Sequence, residues 1–173
     1  MKQVFILITT ILTFNACSVK HNNINLEKRI YHDKKIQELA NNILSLSIGI
    51  NTKEAFKVSY DAITYSKYLA NKFQVVKPAI FHNTLINLNL KKKGFCYHYA
   101  NELQLYLETK KFKTFKFLRI VSNRGEYFEH SSIILTRDDI SFKNSLVLDA
   151  WRNSGELFWS KVKNDTKYKW EKK

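Results

Sequence analysis

The sequence predicts an α+β domain in which N-terminal helices precede an antiparallel sheet. Apolar residues recur every three or four positions up to about Thr109; after Phe115 they alternate or cluster in short runs, and turn residues separate those runs. With four Gly and one Pro, the chain has no linker-like stretch beyond residues 18–25 and shows no internal repeat.

Over residues 26–47, Leu26, Ile30, Ile36, Leu39, Ile43 and Leu46 mark one buried helix face, and Gly49 ends it. Asn51 or Thr52 caps a second helix reaching about Lys72, since either side chain can accept from a free first-turn N–H, and Glu54 adds a favourable charge there. Pro78 disfavours helix in the residue before it and suits the first turn of a short helix over residues 79–89. A basic loop, Lys91-Lys92-Lys93-Gly94, leads into a helix from Cys96 to about Thr109. Its Ala100, Leu103, Leu105, Tyr106 and Leu107 make it apolar over much of its circumference, as a central helix would be. Residues 115–121 then read as a strand, 123–126 as a hairpin turn, 127–135 as the returning strand and 145–151 as a third. Gly155 marks a turn, and Leu157-Phe158-Trp159 begins a fourth strand.

Ahead of these elements, Lys2, an apolar run too short to span a bilayer and Ala16 read as an export signal over residues 1–16. Phe14-Asn15-Ala16-Cys17 resembles the bacterial lipobox, with Phe14 an atypical residue at its position. That resemblance implies a lipidated Cys17, a tether over residues 17–25 and a single domain over residues 26–173. The product would be an exported bacterial lipoprotein, held on a membrane facing the periplasm or the exterior, the outer membrane included. Net charge is +14, mostly Lys and scattered apart from Lys91–Lys93 and Lys110-Lys111. Such a balance favours anionic surroundings, but no zinc-finger spacing or other nucleic-acid motif accompanies it, so no nucleic-acid partner is expected.

With Cys17 used as an anchor, Cys96 is left without a disulfide partner in an oxidising compartment, where a thiol is either buried or used. A helix start suits a working thiol, because its unpaired N–H groups and dipole favour the thiolate and can stabilise an oxyanion. His130 and Asp149 lie in apolar strands, where an ionisable side chain needs a partner. On one sheet face they could meet, the His as base and the Asp orienting it. A structural His–Asp hydrogen bond beside a core Cys is the plainer alternative. His98, two residues from Cys96 on a helix, points about 200° away and reads as a supporting polar contact. Glu129 faces away from His130 as a surface charge. Tyr97, Trp151 and Trp159 are either cleft-lining or core. No metal-ligand spacing is present, and neither metal nor cofactor is expected.

Gly-x-Cys opening a helix, a strand His 34 residues on and a strand Asp 19 further resemble the transglutaminase-like branch of the papain-like cysteine enzymes, over about residues 91–165. The resemblance implies a papain-like/transglutaminase-like fold, with a central Cys-bearing helix packed on the antiparallel sheet. It also implies Cys96 as nucleophile, His130 as base and Asp149 as orienting acid. Residues 148–159, with Trp151 and Arg152 beside the acid, are similar to a motif of bacterial members. The papain-type Gln six residues before the nucleophile is absent, Leu90 standing there; Asn87, Asn89 or backbone amides with an aromatic are its candidate substitutes. The implied activity is cleavage of an amide bond through an acyl-thioester resolved by water (peptidase or amidase) or by an amine (transglutaminase). The substrate would be a peptide, a protein or the peptide of peptidoglycan. Because the family includes inactive members, a binding module at the membrane surface is the alternative.

Overall fold

A computed structural model describes residues 33–173. The expected leader, Cys17, the tether and the first residues of the predicted opening helix lie outside the described residues. Helix α1 covers Lys34–Leu44 and starts at Asp33, whose carboxylate accepts from the Ile36 N–H at 3.1 Å. Its buried stripe, Ile36, Leu39, Ala40 and Ile43, has the spacing of one helix face. Helix α2, Thr52–Lys72, is capped by Asn51, whose side chain accepts from the Glu54 N–H at 3.0 Å. Glu54 in turn accepts from the N–H groups of Lys113 and Thr114, tying the start of α2 to the approach to the sheet.

Helix α3, Ala79–Asn87, stops two residues short of expectation. Asn89 adopts φ 59, its N–H bonds the Ile86 carbonyl and the Leu90 N–H bonds the Leu85 carbonyl. This Schellman ending uses Asn where Gly is commoner. Helix α4, Cys96–Thr109, buries Tyr99, Ala100, Leu103 and Leu107. Leu105 was expected to be interior but is 63% exposed. It stands two positions from both Leu103 and Leu107, about 200° round the helix from either.

Strands β1 (Lys116–Ser122), β2 (His130–Thr136), β3 (Leu146–Asn153), β4 (Glu156–Lys161) and β5 (Glu171–Lys172) form one antiparallel sheet in the order β4-β3-β2-β1-β5. Among the described residues, four α-helices and this sheet make the predicted α+β architecture. Two features differ from the sequence reading. β2 begins at His130, not at residue 127, because the Glu126 N–H bonds Asn123 O and the Glu129 N–H bonds Glu126 O, making two turns in succession. β5, two polar residues with no alternation, pairs beside Ile120 and Val121 on the free edge of β1.

The two sheet faces have separate covers. Phe117, Ile133, Leu135, Leu146 and Leu148 join the helices in the main core. Ile120, Ile134 and Val147 pack on the other face against Trp170, with Phe142, Val162 and Tyr168 around them. Ile134 pairs with Val147, so by strand alternation His130 and Asp149 share this second face. His130 is the first residue of β2, at the end of the sheet.

Candidate active site

The loop leading to Cys96 is fixed by two imidazoles. His82 on α3 is fully buried; its Nδ1 accepts from the Val76 N–H at 3.2 Å and its Nε2 donates to the Lys93 carbonyl at 2.9 Å. The acceptor role of Nδ1 fixes the tautomer. His98 reaches back from the first turn of α4, and its Nδ1 accepts from the N–H groups of Gly94 and Phe95, both at 3.2 Å. Burial, with Lys93 nearby, holds its pKa below 6.5 and keeps that nitrogen available as an acceptor. The Cys96 and Tyr97 amides, at the first two helical positions, have no carbonyl one turn earlier to bond.

Asp149 is engaged through both carboxylate oxygens. Its Oδ2 accepts from His130 Nε2 at 2.7 Å and Arg152 Nε at 2.9 Å, and its Oδ1 from the Trp151 and Arg152 N–H groups at 3.0 and 3.2 Å. The Arg152 guanidinium also meets both oxygens of Asp165, at 2.6 and 3.2 Å, and the Trp170 indole donates to Asp165 at 2.8 Å. The result is a buried carboxylate–guanidinium–carboxylate bridge, with Phe158 and Tyr168 against the Arg152 cation at 3.7 and 4.8 Å. Burial disfavours the Asp149 carboxylate, but His130 and Arg152 outweigh it and hold the pKa below the usual value. The sequence marked Arg152 only as a neighbour of the acid. Asp165, Tyr168 and Trp170 carry no spacing signal, since they reach the site only when the C-terminal segment folds over the second sheet face.

His130 is 3% exposed and enclosed by Trp151, Tyr168 and Trp170, with ring centroids 4.9, 4.3 and 5.3 Å away. Burial opposes its protonation. The hydrogen bond and charge of Asp149, together with Cys96, more than offset this and raise its pKa to about 9. Its Nδ1 is buried and makes no hydrogen bond. The Cys96 thiol points instead to the carbonyl of Glu129, the preceding residue, at 3.9 Å. Cys96 nonetheless lies close enough to the ring to help raise the His130 pKa.

Cys96 is half-buried on the floor of a cleft of about 320 Å³. Ile80, Asn83, Thr84 and Asn87 of α3 form one wall, Tyr127, Phe128 and Glu129 the other, and Phe95 and Tyr97 flank the thiol. Of the residues singled out from the sequence, Tyr97 lines the cleft, His98 caps the helix below it and Trp151 lies behind it against His130. Asn89 does not line it, because as the left-handed ending of α3 it is exposed beyond the last turn. Asn83, which the sequence reading passed over, is the amide at the centre of the wall. Its Oδ1 faces Trp151 Nε1 at 3.4 Å. An indole N–H only donates, so this contact fixes the amide orientation and leaves the NH₂ free for the cleft. Arg119, whose charge interacts with Cys96 and Glu129, holds the first turn of α4 through Tyr97 O at 3.3 Å and Asn101 Oδ1 at 2.6 Å.

Among the described residues, no group of three or more His, Cys, Asp or Glu is arranged to hold a metal ion, and no helix is long and apolar enough to cross a membrane. Compared with family models, curated proteins and solved structures, the chain finds no significant match.

Proposed function

We propose that the protein is a thiol enzyme of transglutaminase-like, papain-like type that cleaves or transfers at an amide bond, working as an exported lipoprotein in the bacterial envelope. One observation carries the reading: His130 is clamped by Asp149 through Nε2, while its other nitrogen is buried, unbonded and next to the only Cys of the described residues, in an open cleft.

In this mechanism His130, whose pKa of about 9 keeps the ring protonated near neutral pH, already holds the thiol proton on Nδ1 when Cys96 Sγ attacks the carbonyl carbon. The carbonyl π pair moves to oxygen, which the Cys96 N–H and the Asn83 NH₂ stabilise. The imidazolium, held by Asp149, then protonates the departing amine as the C–N bond breaks, leaving an acyl-thioester. Water or a second amine attacks that thioester, His130 again takes the proton, and the thiol is released.

The test is acylation by p-nitrophenyl acetate, followed by release of nitrophenol and by intact mass. Stoichiometric acetylation of Cys96 that disappears in Cys96→Ala and slows by about 10²-fold or more in His130→Ala is expected. A thiol that resists acylation, equally inert with and without His130, would sink the reading in favour of a non-catalytic binding module.

A further inference from the structure

We infer that the Cys96 cleft takes a short neutral or basic peptide segment carrying a bulky apolar side chain next to the reacting carbonyl, and disfavours acidic segments. This rests on the thiol-enzyme reading above and names its substrate class. The chain carries a net charge of +14, yet among the described residues no Lys or Arg lines the cleft, and its one carboxylate is Glu129. The basic loop lines a separate hollow, where Lys91, Lys92 and Lys93 gather with Lys72. Arg119 has both terminal nitrogens engaged by Asn101 and Tyr97 O and is not part of the lining. An acidic side chain entering the cleft would therefore meet Glu129 with no Lys or Arg on the walls to pair with it.

The apolar preference comes from the rim. Tyr127 and Phe128 are 88% and 72% exposed and pack edge to face on each other at 5.0 Å. Two neighbouring rings left in water mark a surface awaiting a partner. They stand on a braced loop, with the Glu126 and Glu129 N–H groups bonded within it and the Gly125 N–H bonded to Glu129 Oε2 at 2.9 Å. Ile80, 61% exposed, faces the cleft from α3. Because the Cys96 thiol contacts the carbonyl of Glu129, this aromatic wall adjoins the reacting sulfur. Asn83, Thr84 and Asn87 supply uncharged donors and acceptors suited to peptide amides. At about 320 Å³ the cleft has room for one or two residues.

The experiment compares peptidyl acyloxymethyl ketones with Phe, Ala, Lys or Asp next to the ketone. Cys96 Sγ displaces the carboxylate from the probe's methylene, and labelling rates are read by intact mass. The Phe probe should react about tenfold or more faster than the Ala probe. The Lys probe should outpace Asp by a similar factor, Phe128→Ala should narrow the Phe advantage and Glu129→Gln the Asp penalty. Equal rates for all four probes, or a Phe advantage untouched by Phe128→Ala, would overturn the specificity while leaving a reactive thiol enzyme. Labelling of Cys96 by iodoacetamide but by no peptidyl probe would overturn the enzymatic reading, and the specificity with it.

Discussion

A Cβ placed on Gly94 would stand 2.4 Å from Nε2 of His82, inside any permissible contact. His82 cannot move aside: it is fully buried and bonded at both ring nitrogens, to Val76 and Lys93. Gly94 also sits at φ 131, a backbone region that L side chains rarely adopt. Two residues before the thiol, the glycine lets the loop close over the imidazole and deliver Cys96 to the start of α4. Gly94→Ala should lose on the order of 2–4 kcal/mol in urea denaturation and slow iodoacetamide labelling of Cys96. In a His82→Ala background the steric part of that cost should vanish, giving a coupling energy of about 1 kcal/mol or more. Strictly additive costs would show that the contact does not govern the loop.

Arg152 should matter more to stability than its neighbour Asp149 alone suggests, because it neutralises two buried carboxylates at once. Arg152→Met keeps the side-chain bulk but leaves Asp149 and Asp165 without their shared cation, an expected loss of about 3–5 kcal/mol. The acid dependence has a defined sign. The hydrogen bonds and cations around both carboxylates outweigh the burial that opposes ionisation and hold their folded pKa values below 3.8, so their contribution is present above that pH and lost as pH falls through the folded values. Urea midpoints taken from pH 6 downward should therefore fall in the wild type. Loss of Arg152 should lower the plateau and shift the fall to higher pH. An unchanged midpoint in Arg152→Met at neutral pH would show that the bridge is energetically idle.

This division between the pair and its bridge follows how the residues could be read from the chain. Cys96, His130 and Asp149 are chemically unusual for their local patterns, a thiol at a helix start and two ionisable groups in apolar strands, so composition against periodicity exposes them. The α+β order was legible for the same reason, since period alone separates α1–α4 from β1–β4. Asn83, His82 and Asp165 are ordinary polar residues in their segments. Their roles arise from contacts 68, 11 and 13 residues away along the chain, with Trp151, Lys93 and Arg152, which no local pattern encodes. Tyr127 and Phe128 misled in the other direction, because two aromatics before an apolar strand look like its beginning. Only the turn closed by Glu129 N–H and Glu126 O sends them to the cleft rim instead.

His130 should impose the alkaline limit. Burial opposes its charge, but Asp149 and Cys96 raise the folded pKa to about 9 from 6.5, so its stabilising contribution is complete below 6.5 and disappears as pH rises through about 9. NMR titration of the His130 ring should show this high midpoint in the wild type. Cys96→Ala should lower it, and Asp149→Asn should lower it further by removing the charge that favours the imidazolium. An imidazole that titrates near 6.5 in all three proteins would mean that neither neighbour controls its proton.

The role of Asn83 can be separated from general damage to the thiol. Alkylation by iodoacetamide is a displacement at saturated carbon and develops no carbonyl oxyanion, whereas acylation by p-nitrophenyl acetate does. Asn83→Ala should therefore leave alkylation of Cys96 within about twofold while slowing acylation by about 10²-fold, the range for one lost oxyanion donor. Trp151→Phe retains a ring against His130 but removes the indole N–H that fixes the amide, so it should reproduce a smaller part of the same selective loss. Asn87→Ala, on the same wall one helical turn away, should slow acylation much less, because among the described residues no comparable contact holds its amide in one orientation. If Asn83→Ala depressed both reactions equally, its effect would be on the thiol itself, and the backbone amides of Cys96 and Tyr97 would be left as the donors that meet the oxyanion.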